Sequence, residues 1–509
     1  MVNSPQNTKS SGKVYLVGAG PGDPGLITLR GVECLQQADL VLYDYLVNRE
    51  LLDHAPAAAE KVCLGHHHTG REYSQEEINI RIIAAAKVGK NVVRLKGGDP
   101  LVFGRAAEET AALAAAEISY EIVPGVTAAI AAAGYAEIPI TSGDKASAVA
   151  FITGHERTGK DGEPLDYSAL ADFPGTLVFF MAVHSAGRWS QALLARGKPA
   201  DTPVAIVRRC TWPDQEIVRC TLGDVAVVID RKNLRPPAVI VVGEVVGVMP
   251  AVSWFSARPL FGKSVLITRP RENREMRDHL TDKLRESGAE VLYQPAIVIS
   301  DPPDWQLLDD AIARLPELDW LVFSSVNGVR YFFDRLLQNG GDARRLGNVK
   351  IAAIGPTTAD ELKQYSLRAD VVPTEFRAEA LADALAGKAA RRNFLLIRAS
   401  RGREVLAEQL TAAGANVEQA VAYASSDVEQ PDEAIAARLA AGKIDWITVT
   451  SSSIARSLAK LFGENLRRAK IASISPVTSA TLRELGFEPV AEARVFTAEG
   501  LAEAILENG

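Results

Sequence analysis

The sequence comprises 509 residues, of which 47% are hydrophobic and 23% charged, with a formal net charge of −7. That length exceeds what one hydrophobic core organises and favours about three domains. The negative charge argues against a nucleic-acid partner, because binding phosphates requires a basic stripe, and no apolar run is long enough to span a membrane. The polar N-terminus and the absence of a Cys-x-x-Cys pair among the four cysteines predict a cytoplasmic protein with free thiols.

Three apolar strands in the N-terminal region each run into a Gly/Pro-rich loop and then a helix. They lie in VYLVGAGPGDPGLITLRG (14–31), RLKGGDPLVFGRAAEE (94–109) and VPGVTAAIAAAGYAEIPIT (123–141). Such loops are predicted to gather at one edge of a sheet. In the second loop, two glycines leave bare backbone beside the Asp99 carboxylate, and Pro100 stops the strand. This arrangement favours a polar ligand with hydroxyls and a positive centre, although an ordinary strand-to-helix turn is the alternative.

These motifs resemble the S-adenosylmethionine-dependent uroporphyrinogen III C-methyltransferases, which belong to the tetrapyrrole methylases. The resemblance covers residues 12–256 and also includes ADLVLYDYLV, FITGH, LVFFMAV and PPAVIVVGEVV. It implies a cleft between two α/β subdomains, about 12–142 and 143–250, that binds S-adenosyl-L-methionine and releases S-adenosyl-L-homocysteine. Matched position by position, the implied cofactor contacts are Pro21, Gly97, Gly98, Asp99, Val102, Thr127, Ala128, Met181 and Cys210, the last at a position that the family usually fills with Gly.

Asp44, in the apolar run LVLYDYLV, is the predicted catalytic base of this half. Methyl transfer from a sulfonium to carbon needs alignment of donor and acceptor, and a base that removes a proton from the tetrapyrrole. A carboxylate that caps the following turn is the alternative. Where the family has a Lys, this chain has His66, whose imidazole could transfer a proton near neutral pH. The three consecutive histidines from His66 predict a solvated loop and no metal site, because adjacent side chains of an extended segment point to opposite faces.

The second half begins after a short linker, SWFSARPLFGKSV (253–265), and contains an internal duplication. We expect few contacts to cross this linker. DWLVFSSVNGVRYFF, from Asp319, is repeated as DWITVTSSSIARSLA, from Asp445, and KIAAIGPTTADEL, from Lys350, as KIASISPVTSATL, from Lys470. In each copy a strand ends in a Ser-rich loop that opens a helix, which places hydroxyls and helix amides at the carboxyl edge of a sheet. Two such lobes facing each other would form a cleft suited to carboxylates.

This second half, residues 262–509, resembles uroporphyrinogen III synthase through RPLFGKSVLITRP, the SSVNGV loop, IGPTTA and the duplicated order. The resemblance implies two flavodoxin-like α/β lobes, one formed by about 262–296 and 425–509 and the other by about 297–424. Tyr423, at the returning crossover, matches a tyrosine that is implicated in the family's reaction, and packing at a strand end is its alternative role. The residues predicted to bind substrate are Ser324, Ser325, Asn327, Thr450, Ser451, Ser452 and Thr478.

Together, the two resemblances imply a bifunctional enzyme of tetrapyrrole biosynthesis. The synthase half would cyclise hydroxymethylbilane to uroporphyrinogen III with inversion of ring D, mainly by controlling how the substrate folds. The methylase half would then methylate this product twice to precorrin-2, on the route to cobalamin and sirohaem. We expect tetrapyrrole partners, no nucleic acid or membrane partner, and a homodimer formed through the methylase half. A non-catalytic tetrapyrrole-binding module in the second half and methylation of a different precorrin are the alternatives.

Overall fold

The computed structural model describes residues 12–65, 73–155, 165–248, 250–270, 279–402 and 404–509. Its strands form four five-stranded sheets connected by helices, which confirms the predicted α/β class. Within these ranges, no helix is both long enough and apolar enough to cross a membrane.

The first sheet consists of five parallel strands. Its region contains β1 (Val14–Gly18), α1 (Leu29–Gln36), β2 (Leu40–Tyr43), β3 (Glu60–Cys63), α2 (Gln75–Lys87), β4 (Val92–Lys96), α3 (Ala106–Ala115), β5 (Tyr120–Val123) and α4 (Ala128–Ala136). The strand order is β3-β2-β4-β1-β5. Strands β1, β2 and β4 are buried along their whole length, as expected of central parallel strands. Because all five strands are parallel, the loops after β1, β4 and β5 open at the same edge.

The second sheet is mixed. Its region contains β6 (Val149–Thr153), α5 (Tyr167–Ala171), β7 (Thr176–Phe180), α6 (Ala186–Ala195), β8 (Pro203–Arg208), β9 (Glu216–Thr221), α7 (Val225–Arg231) and β10 (Ala238–Val242). The order is β6-β7-β10-β8-β9, with β10 antiparallel to both of its neighbours. One face of this sheet packs under α6, where the Trp189 ring stacks on Phe179 at a centroid distance of 4.4 Å. The other face packs against α4 of the first region.

The third sheet is parallel and is made from the two ends of the second half. Its region contains β11 (Ser264–Ile267), α8 (His279–Glu286), β12 (Glu290–Tyr293), α14 (Glu433–Ala440), β18 (Trp446–Val449), α15 (Ser452–Phe462), β19 (Lys470–Ser473), α16 (Pro476–Glu484), β20 (Ala491–Glu492) and α17 (Ala498–Glu507). The order is β12-β11-β18-β19-β20. The chain therefore leaves this sheet after β12 and returns to it at β18.

The fourth sheet is formed by the intervening chain. Its region contains β13 (Ile297–Ser300), α9 (Gln306–Ala313), β14 (Trp320–Phe323), α10 (Val326–Gln338), β15 (Lys350–Ala353), α11 (Pro356–Gln364), α12 (Ala378–Ala386), β16 (Asn393–Ala399), α13 (Val405–Ala412) and β17 (Asn416–Asp427). The order is β13-β17-β16-β14-β15, and only the β13–β17 pair is antiparallel among these strands. The duplicated strand-loop-helix units occupy equivalent places in the third and fourth sheets, at β14–α10 and β18–α15.

The linker between the halves is packed, which corrects the expectation that few contacts cross it. Trp254 donates its indole N–H to the Gly134 carbonyl, at 3.0 Å, near the end of α4. Phe255 is buried and packs edge-on against Tyr135 of α4, with ring centroids 4.7 Å apart. Phe261 packs on the other side of Phe255, at 5.4 Å. The aromatic residues of the linker therefore form a small core of their own.

Two further contacts join the halves outside this aromatic group. The Gly262 amide donates to the Pro213 carbonyl at 2.9 Å, and the Arg285 guanidinium forms an ion pair with Glu50. The Arg258 guanidinium lies over both the Trp254 and the Phe255 ring. A cut near Arg258 would therefore break a packed junction.

Candidate active sites

The three predicted loops of the first sheet come together at its carboxyl edge. Gly98 donates its amide to Gly20 at 2.8 Å and accepts from the Gly20 amide at 3.2 Å. Gly20 and Gly98 have positive φ angles, +72° and +69° respectively, which glycine adopts without strain. A Cβ on Gly125, in the third loop, would lie 2.3 Å from the Gly98 carbonyl oxygen. These glycines therefore allow the loops to touch through backbone alone.

Asp99 fastens these loops with both carboxylate oxygens. Oδ2 accepts the Gly125 amide at 2.9 Å, and Oδ1 accepts the Leu101 amide at 2.8 Å. The bare backbone before it faces open space: a Cβ on Gly97 would meet only Leu46, at 3.8 Å, and one on Gly98 would meet nothing closer than 3.8 Å. The strand end is thus a fixed cradle with free volume above its glycines.

The other predicted cofactor contacts come from both of the first two sheets' regions. Thr127 caps α4 without a side-chain hydrogen bond, so its hydroxyl is not used in capping. Cys210 is buried, with Sγ 3.9 Å from the Ala128 carbonyl, and burial raises the pKa of its thiol to about 12. The thiol therefore stays neutral and fills space that glycine would leave empty. Met181, directly after β7, is half exposed and has φ of +52°, an uncommon conformation for a residue with a side chain.

Pro21 lies in the first loop, which is braced from the second region. Its carbonyl accepts the Trp212 indole N–H at 3.1 Å. Two residues later, Asp23 accepts the Tyr135 phenol at 2.6 Å, and burial together with this carboxylate raises the pKa of Tyr135. Val102, in the second loop, is partly exposed and donates its amide to the Asp99 carbonyl. Pro21 and Cys210 are thus held by contacts that cross between the first and second regions.

Asp44 follows β2 at the same edge, and its carboxylate is held on both oxygens. Oδ1 accepts from Nη2 of Arg94 at 2.5 Å, and Oδ2 accepts the Gly97 amide at 3.2 Å. About a third of the Asp44 side chain remains exposed. The ion pair with the buried Arg94 guanidinium and the bond from the Gly97 amide fix the orientation of this carboxylate, while its exposed part stays open to a ligand. The bonds described for this carboxylate come from β4 and the loop after it, and not from the turn that follows Asp44, which the alternative role had predicted.

A buried ion network lies behind Asp44, and sequence reasoning missed it. Arg94 and Lys96 of β4 are 4% and 3% exposed, and Glu109 of α3 is 1% exposed. The Glu109 carboxylate accepts Nε of Arg94 at 3.1 Å and lies 2.9 Å from Nζ of Lys96 through both oxygens. Burial alone would lower the pKa of Arg94, but the Asp44 and Glu109 carboxylates outweigh burial, and the pKa is raised. The pKa of Lys96 is lowered, by burial and by the nearby charge of Arg94. The sequence does carry a signal for this network: Arg94 and Lys96 are charged residues in the otherwise apolar strand VVRLK.

His66 and the two histidines after it lie outside the described residues, so its predicted role stays a prediction. Among the residues that the structure does describe, no cluster of three or more His, Cys, Asp or Glu could hold a metal ion.

In the second half, Tyr423 and the first Ser-rich loop come together. The Tyr423 phenol lies 3.0 Å from the Ser325 hydroxyl, which also accepts the Gly328 amide as the cap of α10. Tyr423 is 7% exposed and stacks on Tyr331, and burial raises the pKa of its phenol. Tyr423 lies on β17, and its neutral hydroxyl reaches the Ser-rich loop at the carboxyl end of β14. Ser324 donates to the Ile397 carbonyl at 3.2 Å, and Asn327 is partly exposed in the first turn of α10.

The remaining predicted substrate-binding residues lie at the carboxyl edge of the third sheet. Ser451 caps α15, and Thr450 and Ser452 beside it are partly exposed. Ser452 accepts the Thr481 hydroxyl at 2.9 Å, which links this loop to α16. Thr478 is only 2% exposed, and its hydroxyl lies 3.1 Å from that of Ser475, the cap of α16. Thr478 thus contributes to the packing of the loop, and Ser475 is a hydroxyl there that the sequence argument passed over.

The chain matches known proteins in both halves. The sequence profile of the tetrapyrrole (corrin/porphyrin) methylases matches residues 13–226, and that of uroporphyrinogen-III synthase HemD matches residues 278–503. The porphyrin biosynthesis protein HemD of Ruminiclostridium josui is 37% identical over 443 residues, 87% of each chain. The S-adenosyl-L-methionine-dependent uroporphyrinogen III methyltransferase of Methanosarcina barkeri is 47% identical over 46% of this chain and 92% of its own. A solved uroporphyrin III C-methyl transferase from Thermus thermophilus is 39% identical over 47% of this chain and 94% of its own, with a TM-score of 0.40.

The two profile matches and the two curated relatives follow the resemblances seen in the sequence, region by region, and confirm both. The relative from R. josui aligns across most of the chain, through the methylase-like region and into the synthase-like region. The chain therefore belongs to the HemD family of porphyrin biosynthesis proteins, with a tetrapyrrole methylase region followed by a uroporphyrinogen-III synthase region.

Proposed function

We propose that the protein catalyses two consecutive steps of tetrapyrrole biosynthesis. The second half cyclises hydroxymethylbilane to uroporphyrinogen III, releasing water, and the first half methylates uroporphyrinogen III twice to precorrin-2. The observation that carries the proposal is the glycine cradle beside the Asp44 carboxylate, in a chain whose other half has a buried tyrosine against a Ser-rich helix cap. We further propose that residues 12–256 and 262–509 are the two catalytic units.

The cradle fits S-adenosyl-L-methionine. Its glycines leave space that any side chain would fill, Asp99 fixes the loop, and the Thr127 hydroxyl is not used in capping α4. Gly97, Gly98, Thr127, Ala128 and Met181 would hold the cofactor, together with Pro21, Asp99, Val102 and Cys210. When bound, the cofactor supplies an electrophilic methyl group.

Asp44 has the chemistry of a base at this site. Its carboxylate is fixed by Arg94 and the Gly97 amide and is still partly exposed. Because Gly97 belongs to the cradle, the base and the cofactor are placed by the same strand end. We infer that Asp44 removes the proton that the tetrapyrrole loses when its carbon is methylated. The cleft supplies the alignment of donor and acceptor on which such a displacement depends.

The synthase half works by holding its substrate folded, assisted by hydroxyl groups. Hydroxymethylbilane loses its terminal hydroxyl as water when the ring closes, and the neutral Tyr423 phenol can donate a hydrogen bond to that departing oxygen. Ser325 positions the phenol. The hydroxyls of Ser324, Thr450, Ser451 and Ser452 and the amide of Asn327 line the two sheet edges that would receive the substrate's carboxylates.

The methylase assignment is tested with purified protein, uroporphyrinogen III and isotopically labelled S-adenosyl-L-methionine. Two labelled methyl groups per tetrapyrrole are expected. Labelling of another precorrin but not of uroporphyrinogen III would contradict the assignment.

The synthase assignment is tested with hydroxymethylbilane alone. Because this substrate also cyclises spontaneously without inversion, the ratio of type III to type I isomer measures the enzyme's contribution, and type III should dominate. A type I product at the spontaneous rate would leave the second half as a binding module only.

The proposal includes a homodimer formed through the methylase half. Light scattering should give twice the monomer mass in each case, for the full chain and for its methylase half, and a monomeric mass for either would contradict this proposal.

A further inference from the structure

The ion network behind Asp44 contains four charged groups whose charges cancel. Arg94 and Lys96 are positive, and Asp44 and Glu109 are negative. Glu109 is the most deeply buried of the four, with its side chain fully covered. It contacts both cations and also accepts from the Gln75 amide at 3.3 Å. Because a buried charge without a partner is costly, the site depends on this balance.

Arg94 transmits the position of Glu109 to Asp44. Its guanidinium donates Nε to Glu109, Nη1 to the Leu95 carbonyl at 3.2 Å and Nη2 to Asp44. The guanidinium is planar, so fixing Nε and Nη1 also fixes the direction of Nη2. Glu109 does not contact Asp44 and acts on it indirectly, through Arg94 and through the charge of Lys96.

We propose that Glu109 is a positioning residue for methyl transfer: by holding Arg94 and neutralising Lys96, it keeps the Asp44 carboxylate oriented beside the cradle. This inference rests on the proposed function, in which Asp44 is the base. It assigns a role in the reaction to a residue of α3 that lies behind the strand.

Charge balance gives the inference a distinctive signature. Glu109→Gln leaves two buried cations and one carboxylate, so that Lys96 competes with Arg94 for Asp44. Lys96→Met leaves one guanidinium between two carboxylates, and Arg94 is drawn away from Asp44. The double variant Glu109→Gln/Lys96→Met restores neutrality with the Arg94–Asp44 pair intact. Two harmful single changes should therefore partly cancel when combined.

Glu60 offers a matched control on β3, the edge strand of the same sheet. Its carboxylate also serves two cations, Arg81 at 2.7 Å and Lys90 at 3.8 Å, but half of its side chain is exposed. Glu60→Gln removes the same charge from the same sheet without creating a buried imbalance, so its methylation rate should match that of the parent protein.

The experiment uses the full chain and measures three quantities for each variant. These are kcat for methylation of saturating uroporphyrinogen III, the Kd of S-adenosyl-L-homocysteine by calorimetry, and the melting temperature. We expect Glu109→Gln and Lys96→Met each to lower kcat about 10-fold or more. The Kd should change less than about 2-fold, because Glu109 does not line the cradle. The double variant should regain most of the lost kcat.

Three outcomes would overturn the inference. One is an unchanged kcat in folded Glu109→Gln, and another is a loss of kcat matched by an equal loss of cofactor affinity. If Glu109→Gln does not fold, the double variant decides: it should fold and methylate, and failure of either would reject the charge-balance argument. Absence of methylation by the parent protein would instead refute the proposed function, so the two failures are distinguishable.

Discussion

Replacing the carboxylate of Asp44 is the sharpest perturbation of the methylase site. In Asp44→Asn the side chain keeps its shape, and its oxygen can still accept from Arg94, but its NH₂ then faces the Gly97 amide, a second donor. The network also gains one uncompensated positive charge. Loss of a general base costs about 10²-fold in rate or more, which corresponds to about 2.7 kcal/mol of transition-state stabilisation. We therefore expect kcat for methylation to fall at least 100-fold.

Cofactor binding should change much less in this variant. Only the Gly97 amide connects Asp44 to the cradle, so the Kd of S-adenosyl-L-methionine should rise by less than about threefold, roughly 0.6 kcal/mol. Calorimetry and turnover with uroporphyrinogen III on the same preparation separate the two effects. An unchanged turnover would remove Asp44 from the mechanism and leave it as a structural partner of Arg94. The companion variant His66→Ala asks whether that imidazole transfers a proton, in which case the same split between kcat and Kd is expected.

Three further predictions concern the synthase half and the junction. Tyr423→Phe removes the phenol that lies against Ser325 and should cost about 1 to 3 kcal/mol in the synthase step, seen as a rise in the type I isomer by chromatography, with methylation of supplied uroporphyrinogen III unaltered; an unchanged type III fraction and rate would exclude the phenol. Asp427→Asn should destabilise the chain by about 1 kcal/mol at pH 7 in urea unfolding. Hydrogen bonds from Lys460, Ser457 and Arg401 hold the pKa of Asp427 below its usual 3.8, so this stabilisation is present above that pH and is lost as the pH falls below it; an equal difference at pH 7 and pH 3 would contradict the assignment. A methylase piece that ends at residue 248 should melt at a lower temperature than one that ends at 262, because burial of Phe255 alone contributes about 1.5 to 3 kcal/mol; equal melting temperatures would show that the linker does not stabilise this half.

The loops of the methylase site were predictable because their chemistry is local. Gly97, Gly98 and Pro100 state in the sequence that the strand ends and that its backbone stays bare. Parallel strand order then brings the first and third loops to the same edge. The internal duplication likewise predicted equivalent Ser-rich helix caps in two sheets, and both Ser325 and Ser451 cap helices as expected.

What the sequence could not show is which groups meet across the fold. Arg94 and Glu109 are 15 positions apart, and their pairing depends on how α3 packs behind β4. The linker reads as a short connection that few contacts cross, yet Trp254 and Phe255 pack against Tyr135, more than 100 positions earlier. Thr478 shares its loop with exposed residues but turns its hydroxyl inward to Ser475. Each of these depends on tertiary packing, which no local pattern encodes.

The central claim is that one chain converts a linear tetrapyrrole into a doubly methylated ring. Its most direct test is incubation of the full protein with hydroxymethylbilane, with and without S-adenosyl-L-methionine, followed by mass spectrometry and separation of isomers. Without the cofactor, uroporphyrinogen III should accumulate. With it, the product should be precorrin-2, carrying two added methyl groups. A type I ring in the first reaction, or an unmethylated ring in the second, would contradict the account.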